Sequence, residues 1–409
     1  MASLAGTAIE FFDFYIYATA AVLVFPKLFF PSGDATAATL QSLATFALAF
    51  FARPVGSVFF GHFGDRIGRK ATLVAALLTM GLSTVAIGLL PTYTSIGVAA
   101  SALLALCRFG QGFGLGGEWG GAVLLATENA PEGKRDWYGM FPQLGAPIGF
   151  LFSGGIFLIL TKCLDDSAFL SWGWRLPFLA SSVLVLVGLY VRLNITETPA
   201  FLEAASRGKH VAVPMIDILR RHLRTVIPAT FAAVATFVIF YILIVFSLSW
   251  GTAQLGYSRE TFLILQLAGV LFFALSIPCT AAFATRIGRR NTLLLATVAI
   301  LVFGLCFGRL FSAGTPGVVT TLVIGFLLMG VTYAPLGTFL SELFPVEVRY
   351  TGASIAFNIA GILGASLTPY AATALALGRG LGSVGLYLAA MSLISLAALL
   401  FVRNKPESD

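Results

Sequence analysis

Apolar residues follow one another along this chain in runs of about 20, and short polar segments separate the runs. A helix of about 20 residues crosses a hydrocarbon layer of about 30 Å, so the pattern predicts a series of membrane-spanning helices. The twelve predicted spans cover residues 4–30, 38–61, 71–91, 95–127, 137–162, 174–193, 224–250, 260–285, 291–311, 316–341, 351–377 and 382–402. We interpret the first run as a span and not as a cleaved signal, because Glu10 and Asp13 interrupt it and further runs follow.

The composition of the 409 residues agrees with a chain that lies in a bilayer. Hydrophobic residues make up 58% of the chain and charged residues 11%, whereas a soluble domain carries roughly 25% charged residues. The predicted fold class is an all-α polytopic membrane protein. The net charge of +7 does not indicate nucleic-acid binding, because the basic residues fall mostly in short inter-helix loops.

Residues that could form an enzyme centre are scattered along the chain. The four cysteines lack metal-ligand spacing, and the three histidines sit at segment ends or in a loop. No Ser/His/Asp or Cys/His set falls at one depth of the predicted helices. We therefore expect no enzyme activity, no metal and no cofactor.

The glycines of span 4 match a nucleotide-binding pattern, since Gly112, Gly114 and Gly117 read G-x-G-x-x-G. That motif requires a strand, a turn and a helix, whereas this segment continues one apolar helix on both sides. Gly110 and Gly121 share a helical face with the last two of these glycines. The glycine face therefore predicts close packing between membrane helices.

Lysine and arginine are unevenly distributed between alternate loops. By the positive-inside rule, the loops after even-numbered spans and both termini are expected in the cytoplasm. The basic residues that carry this prediction are Arg66, Arg69, Lys70, Lys134, Arg135, Arg207, Lys209, Arg220, Arg221, Arg224, Arg286, Arg289, Arg290, Arg349, Arg403 and Lys405. The expected location is the cell membrane, the inner membrane in a bacterium.

The longest polar stretch, residues 194–224, divides the twelve spans into two sets of six. The predicted domains are an N-terminal six-helix bundle at 1–193, a cytoplasmic inter-bundle loop at 194–223 and a C-terminal six-helix bundle at 224–409. Matching loops support a duplication: Arg66 and Arg286 lie 220 residues apart, and Arg135 and Arg349 lie 214 residues apart. Parallel repeats of this kind are typical of secondary transporters.

Residues 61–70 match the loop signature G-x-x-x-D-R-x-G-R-K in full, and through them the chain resembles the major facilitator superfamily. A second copy at 281–290 has Thr285 in place of the aspartate. Further segments are similar to the metabolite:proton symporter family, at residues 9–17, 51–56, 117–121, 173–178, 197–199 and 342–345. The resemblance implies twelve helices in two pseudo-symmetric bundles and transport by alternating access. Known relatives carry proline and betaine, α-ketoglutarate, shikimate or citrate.

We expect a structural and gating role for that loop signature. Asp65 is predicted to pair with the neighbouring basic residues and with helix-end groups, and the glycines allow a tight turn. The residues assigned to this role are Gly61, Asp65, Arg66, Gly68 and Arg69.

Four ionisable residues lie deep within the predicted spans: Glu10, Asp13, Arg108 and Glu118. A charge at the bilayer centre costs about 2.5–3.5 kcal/mol on insertion scales, so such residues usually face a cavity or a partner. Helical geometry puts the first two on one face of span 1 and the last two on one face of span 4. In the superfamily that the chain resembles, both spans line the central cavity. Arg53 is a fifth candidate, set aside because its span contains a proline.

Depth along the two spans predicts that Asp13 interacts with Arg108, directly or through water; a permanent ion pair that only locks two helices is the alternative. A guanidinium that moves relative to a buried carboxyl changes its proton affinity. The predicted proton carriers, in order, are Asp13, Glu118 and Glu10. Arg108 also offers a forked donor for a substrate carboxylate. The predicted substrate-binding residues are Arg108, Gln111, Tyr17, Tyr241, Gln266, Tyr333 and Asn358, with ordinary helix packing as the alternative for the last four.

The predicted function is symport of a proton and a small polar metabolite, either an organic acid or a carboxylate-bearing zwitterion. The proton gradient is the expected energy source, the expected partners are the metabolite, protons and the bilayer, and the expected working unit is a monomer. A proton-driven efflux antiporter is the alternative, because residues 145–149 partly resemble an antiporter glycine–proline motif. A membrane enzyme is a third alternative.

Overall fold

A computed structural model describes residues 2–31, 33–67, 69–128, 130–131, 133–193, 218, 220–345 and 348–402. For residues 2, 61–71, 73, 125 and 128, nothing beyond the backbone is described. The described residues are almost entirely helical, and no β-strand occurs among them. The predicted all-α class is therefore confirmed.

Within the described residues, twelve long helical elements follow one another. They are α1 (Ala2–Leu23), α2 (Ala35–Ile67), α3 (Arg69–Leu89), α4 (Val98–Leu115 and Trp119–Glu128), α5 (Arg135–Cys163), α6 (Arg175–Leu193), α7 (Leu223–Tyr241, Ile242–Phe246 and Ser247–Ala253), α8 (Arg259–Ile287), α9 (Arg289–Phe311), α10 (Gly314–Glu342), α11 (Arg349–Gly361, Ile362–Ser366 and Thr368–Arg379) and α12 (Leu381–Phe401). The middle segments of α7 and α11 are π-helical turns.

Ten of these elements are long and apolar enough to cross a membrane. The other two, α1 and α3, occupy the positions of predicted spans 1 and 3, and α3 contains the apolar stretch Val74–Leu89. Large apolar side chains such as Leu106, Phe152 and Leu275 are more than 60% exposed on the outer surface. Such a surface requires lipid around it, because soluble proteins rarely expose contiguous apolar patches.

The fourth helix is not continuous, which corrects the prediction of one helix over residues 95–127. Helix α4 is interrupted at Gly116–Glu118. There the amides of Gly117 and Glu118 donate to carbonyls three residues earlier, at 3.2 and 3.3 Å. The two consecutive glycines favour the break, since glycine in a helix interior is about 1 kcal/mol less favourable than alanine.

Glycines let α4 lie directly against α2 and α3. A Cβ atom on Gly112 would come within 2.1 Å of the Ala49 carbonyl oxygen of α2, and one on Gly116 within 2.0 Å of the Arg53 oxygen. On the α3 side, a Cβ on Gly110 would meet the Ser83 hydroxyl at 2.3 Å. The predicted packing role is confirmed by close contacts at Gly110, Gly114 and Gly117, whereas Gly121 has only an ordinary contact at 3.6 Å.

The glycines of α5 pack in the same way against α1. A Cβ on Gly145 would lie 2.2 Å from the Thr7 hydroxyl, and one on Gly149 would lie 2.8 Å from the Ala8 carbonyl oxygen. The stretch that partly resembles an antiporter motif therefore serves helix packing in this fold.

The helices associate mainly within each half of the chain. In the first half α1 packs on α5, α2 on α4, and α3 on both α4 and α6. In the second half α8 and α9 pack on α10, and α12 packs on α7 and α9. The halves meet through α5 against α8 and α2 against α11. The division at residues 194–223 stays a prediction, because most of these residues lie outside the described part.

The side chains of the predicted gating motif also lie outside what the structure describes. The backbone there is helical at Gly61–Ile67 and again from Arg69, while Gly68 is not described. The roles of Gly61, Asp65, Arg66, Gly68 and Arg69 stay predictions.

Candidate functional site

A small cavity lies between the two halves of the helix bundle. Its volume of about 20 Å³ suits about one water molecule. The lining side chains come from seven helices and are mostly aromatic. They are Phe11, Phe14, Tyr15, Arg53, Leu115, Ala146, Thr236, Phe237, Phe240, Tyr241, Met329, Tyr333 and Phe357. The cavity therefore marks a place where a ligand could enter once the halves separate.

Arg53 of α2 is the charged residue on that lining. Its guanidinium carbon lies 5.7 Å from the ring centre of Phe50 and 5.6 Å from that of Phe357. Its Nε atom is buried without a hydrogen-bond partner. Pro54 does not end the helix, because α2 continues to Ile67. One charge within an apolar span is a sequence pattern that marks Arg53 as a candidate site residue. The adjacent Pro54 made the placement of that span uncertain.

Arg108 of α4 is fully buried behind the cavity wall. Its guanidinium carbon lies 4.2 Å from the ring centre of Phe14 and 4.1 Å from that of Tyr17, within cation–π range. Its Nε donates to the Phe46 carbonyl oxygen at 3.3 Å, and its Nη1 donates to Gln111 Oε1 at 3.0 Å. Its Nη2 atom has no hydrogen-bond partner. Arg108 is one aromatic layer away from the cavity, because Phe14 stands between.

Asp13 of α1 is bonded to neutral groups. Its Oδ1 accepts from the Ser181 hydroxyl of α6 at 2.6 Å. Gln111 Nε2 donates to the Thr84 hydroxyl at 2.8 Å and reaches the Asp13 backbone oxygen at 3.5 Å. Both charged side chains are described, and they form no direct ion pair with each other. The direct form of the predicted Asp13–Arg108 interaction is therefore wrong for this conformation, because the guanidinium is turned onto aromatic rings.

Glu10, Glu118 and Arg192 form a buried triad of α1, α4 and α6. Arg192 Nη1 lies 2.8 Å from Glu118 Oε1, and its Nη2 lies 3.0 Å from Glu118 Oε2 and 2.6 Å from Glu10 Oε1. One guanidinium thus holds two carboxylates, and the triad has a net charge of −1 when both are ionised. Sequence reasoning missed Arg192, although its position at the end of span 6 matches the depth of Glu10 at the start of span 1.

The predicted neutral contact residues separate into two groups. Tyr241 and Tyr333 line the cavity. The other four have structural contacts, and the cavity lining does not include them; Gln111 is bonded to Arg108 and Thr84. Gln266 Nε2 donates to the carbonyl oxygens of residues 243 and 244 at 2.9 and 3.0 Å and so satisfies the π-helical turn of α7. Asn358 Nδ2 donates to the Ser57 hydroxyl at 2.7 Å, and Tyr17 packs on Arg108.

Ion pairs join the two halves at both ends of the bundle. At the predicted cytoplasmic end, Arg289 of α9 pairs with Asp136 of α5 at 2.5 Å and also with Glu342 of α10. At the opposite end, Lys162 of α5 pairs with Glu260 of α8 at 3.1 Å. A second pair there is Arg259 with Asp166, at 3.0 Å. The halves are thus held together on either side of a cavity too small for a metabolite.

Sequence comparisons connect the chain with membrane transporters. The sugar (and other) transporter family matches residues 1–213 and 252–404. The inner membrane metabolite transport protein YhjE of Escherichia coli (strain K12) is 57% identical over 410 residues, which cover 99% of this chain and 93% of that protein. The shikimate transporter of the same strain is 35% identical over 413 residues, which cover 99% of this chain and 94% of that protein.

Structural comparison agrees on the fold. The partially occluded inward-open conformation of the xylose transporter XylE from E. coli aligns with a TM-score of 0.75 over 98% of this chain and 95% of that one. Its sequence identity of 17% means that the likeness shows the fold alone. The resemblance to the major facilitator superfamily is confirmed, and so is the expectation that the chain is not an enzyme. The chain belongs to the sugar (and other) transporter family within that superfamily, as a multi-pass membrane protein that transports metabolites.

Proposed function

We propose that the chain is a proton-coupled symporter that takes up a small carboxylate-bearing metabolite by alternating access. It works as a monomer in a bacterial inner membrane, with both termini in the cytoplasm. The positive-inside distribution of lysine and arginine supports this orientation. The name of the relative from E. coli, an inner membrane metabolite transport protein, supports the location.

The observation that carries proton coupling is the setting of Asp13. This carboxyl is buried, and the partner of its Oδ1 atom is the neutral hydroxyl of Ser181. An ionised carboxylate without a cation partner is costly in a dry interior, and a proton removes that cost. Asp13 is therefore the first proton carrier, ahead of the two carboxylates that share Arg192.

Gln111 connects the backbone of Asp13 with Arg108 through hydrogen bonds. Gln111 contacts the Asp13 backbone and the Thr84 hydroxyl with its amide nitrogen, and it accepts from Arg108 with its amide oxygen. A shift of α1 relative to α4 changes the contact between Gln111 and the Asp13 backbone, and Arg108 and Thr84 are bonded to the same Gln111 amide. Arg108 and Gln111 therefore act in coupling, while Tyr241 and Tyr333 face the substrate.

Uptake into proteoliposomes tests the proposal directly. A pH-sensitive dye is trapped inside, and a panel of labelled organic acids, betaines and amino acids is added outside. Symport acidifies the lumen when the transported substrate is added, and an inward proton gradient raises its accumulation. Alkalinisation of the lumen on substrate addition would instead establish the antiport alternative.

Replacement of Asp13 by Asn separates coupling from binding. Asn keeps the size and a hydrogen-bond acceptor for Ser181 but cannot release a proton. We expect Asp13→Asn to lose gradient-driven accumulation while substrate exchange across the membrane continues. The control is Asp34→Asn at an exposed loop position, which should transport normally. Undiminished accumulation by Asp13→Asn would exclude Asp13 as the proton carrier.

A further inference from the structure

We propose that Arg53 anchors the substrate and that the substrate carries a single carboxylate with no second anionic group. This inference rests on the proposed uptake of a carboxylate-bearing metabolite. It assigns the substrate contact to a residue of α2 and leaves the α1–α4 charges to coupling. It also narrows the substrate class to monocarboxylates.

The first support is the unsatisfied state of the Arg53 guanidinium. The side chain is buried, its Nε has no hydrogen-bond partner, and no ion pair involves it among the described residues. Arginine keeps its charge at any physiological pH, so this charge cannot be removed by loss of a proton. The rings of Phe50 and Phe357 offset only part of the desolvation cost. A carboxylate that binds in the cavity would supply the missing acceptor.

Geometry distinguishes Arg53 from the other buried arginines. Arg192 is occupied by two carboxylates. Arg108 is enclosed by aromatic rings, bonded to Gln111 and the Phe46 carbonyl oxygen, and separated from the cavity by Phe14. Arg53 therefore has both access to the cavity and free donor capacity.

The charges of the side chains that line the cavity indicate the substrate class. Arg53 supplies one positive charge, and no carboxylate side chain lies on the cavity wall that the structure describes. The other polar side chains there, Tyr15, Thr236, Tyr241 and Tyr333, are neutral hydroxyl donors and acceptors. One substrate carboxylate would balance the guanidinium, whereas a second would face aromatic rings without a partner. The aromatic wall suits an apolar or ring-shaped body.

Ligand binding to the detergent-purified full chain tests the substrate class without any proton gradient. The probes are shikimate and benzoate as monocarboxylates, succinate as a dicarboxylate, and benzamide as the uncharged analogue of benzoate. We expect at least one of the monocarboxylates to raise the melting temperature at millimolar concentration, with no shift for benzamide or succinate. Absence of a shift with both monocarboxylates, or a larger shift with succinate, would overturn the proposed class.

Variants then test the anchor with the probe that binds. Arg53→Gln should weaken binding about 100-fold, because it removes one partner of a buried charge pair, and Arg53→Lys should weaken it less. Arg309→Gln at an exposed helix end is the matched control and should bind as the parent chain does. Unchanged affinity in Arg53→Gln, with a loss in Arg108→Gln instead, would move the anchor to Arg108. The melting temperature of each variant without ligand shows whether it is folded.

The binding measurements on the Arg53 variants do not depend on whether the protein is a symporter. Asp13→Asn should keep Arg53-dependent binding even though it loses gradient-driven accumulation. If substrate addition fails to acidify the vesicle lumen while Arg53-dependent binding persists, only the symport mechanism fails. If acidification persists in Arg53→Gln at unchanged half-saturation, only the anchor assignment fails.

Discussion

Single buried charges in this protein differ in how they are balanced. The carboxylates Glu10 and Glu118 share the guanidinium of Arg192, Asp13 has a hydroxyl partner, and Arg53 sits against aromatic rings. The sequence predicted that these three carboxyls and Arg108 are buried, because polar residues within apolar spans must face the interior. It did not predict their partners, since the rotation of α6 about its own axis decides which side chains meet Arg192.

Removal of the shared guanidinium tests the triad of Glu10, Glu118 and Arg192. Arg192→Gln leaves two carboxylates facing each other in a dry interior, so we expect a loss of about 3 kcal/mol of stability. The double variant Arg192→Gln, Glu118→Gln should recover part of that loss, because one buried charge is gone. Arg259→Gln, which breaks a pair with the exposed Asp166, should cost about 1 kcal/mol or less. Thermal unfolding in detergent measures these variants and the single variant Glu118→Gln, and strictly additive losses in the double variant would exclude coupling.

Helix α4 combines a polar side with close glycine contacts to its neighbours. It holds Arg108, Gln111 and Glu118 on its polar side, and its glycines contact α2 and α3. The break at Gly116–Glu118 includes Glu118, which pairs with Arg192. The sequence indicated the glycine face, because small residues at helical spacing favour close packing. The break was not predictable from periodicity alone, since an apolar pattern continues through it.

Glycine replacements test this packing. Gly112→Ala would put a methyl group within 2.1 Å of the Ala49 carbonyl oxygen, so α2 and α4 must move apart. We expect a loss of about 1–3 kcal/mol of stability, the usual cost of overpacking. Gly155→Ala in α5 is the matched control, since a Cβ there meets nothing within 4 Å, and it should be neutral or slightly stabilising. Equal melting temperatures for the two variants would show that α2 and α4 tolerate separation.

The whole molecule is in a conformation with its halves joined at both ends. Arg289 connects α9 with α5 and α10 at the predicted cytoplasmic end, and Lys162 connects α5 with α8 at the opposite end. The pair of Arg289 with Asp136 is largely buried, whereas Lys162 and Glu260 are about half-exposed. The buried pair should therefore contribute more to closure, because water screens exposed pairs.

Cysteine labelling tests which pairs hold the cytoplasmic end closed. In a chain whose four native cysteines are replaced, Thr236→Cys places a thiol on the cavity wall. We expect Arg289→Gln to increase the labelling rate several-fold when an impermeant maleimide is added from the predicted cytoplasmic side. Lys162→Gln should leave labelling from that side unchanged, as its pair lies at the other end. Equal rates for Arg289→Gln and the parent chain would mean that other contacts hold this end closed.

The pattern of apolar and charged residues accounts for the fold class, the positions of the helices and the identity of most buried charges. These follow from local chemistry: apolar runs must lie in lipid, and charges within them must face inward. Helix packing determines three further features: Arg192 pairs with Glu10 and Glu118, Arg108 lies behind Phe14, and Arg53 lines the cavity. The physical reason is that such contacts depend on the rotation and spacing of neighbouring helices. Those are set by glycine contacts between residues far apart in the chain, which periodicity within one helix does not encode.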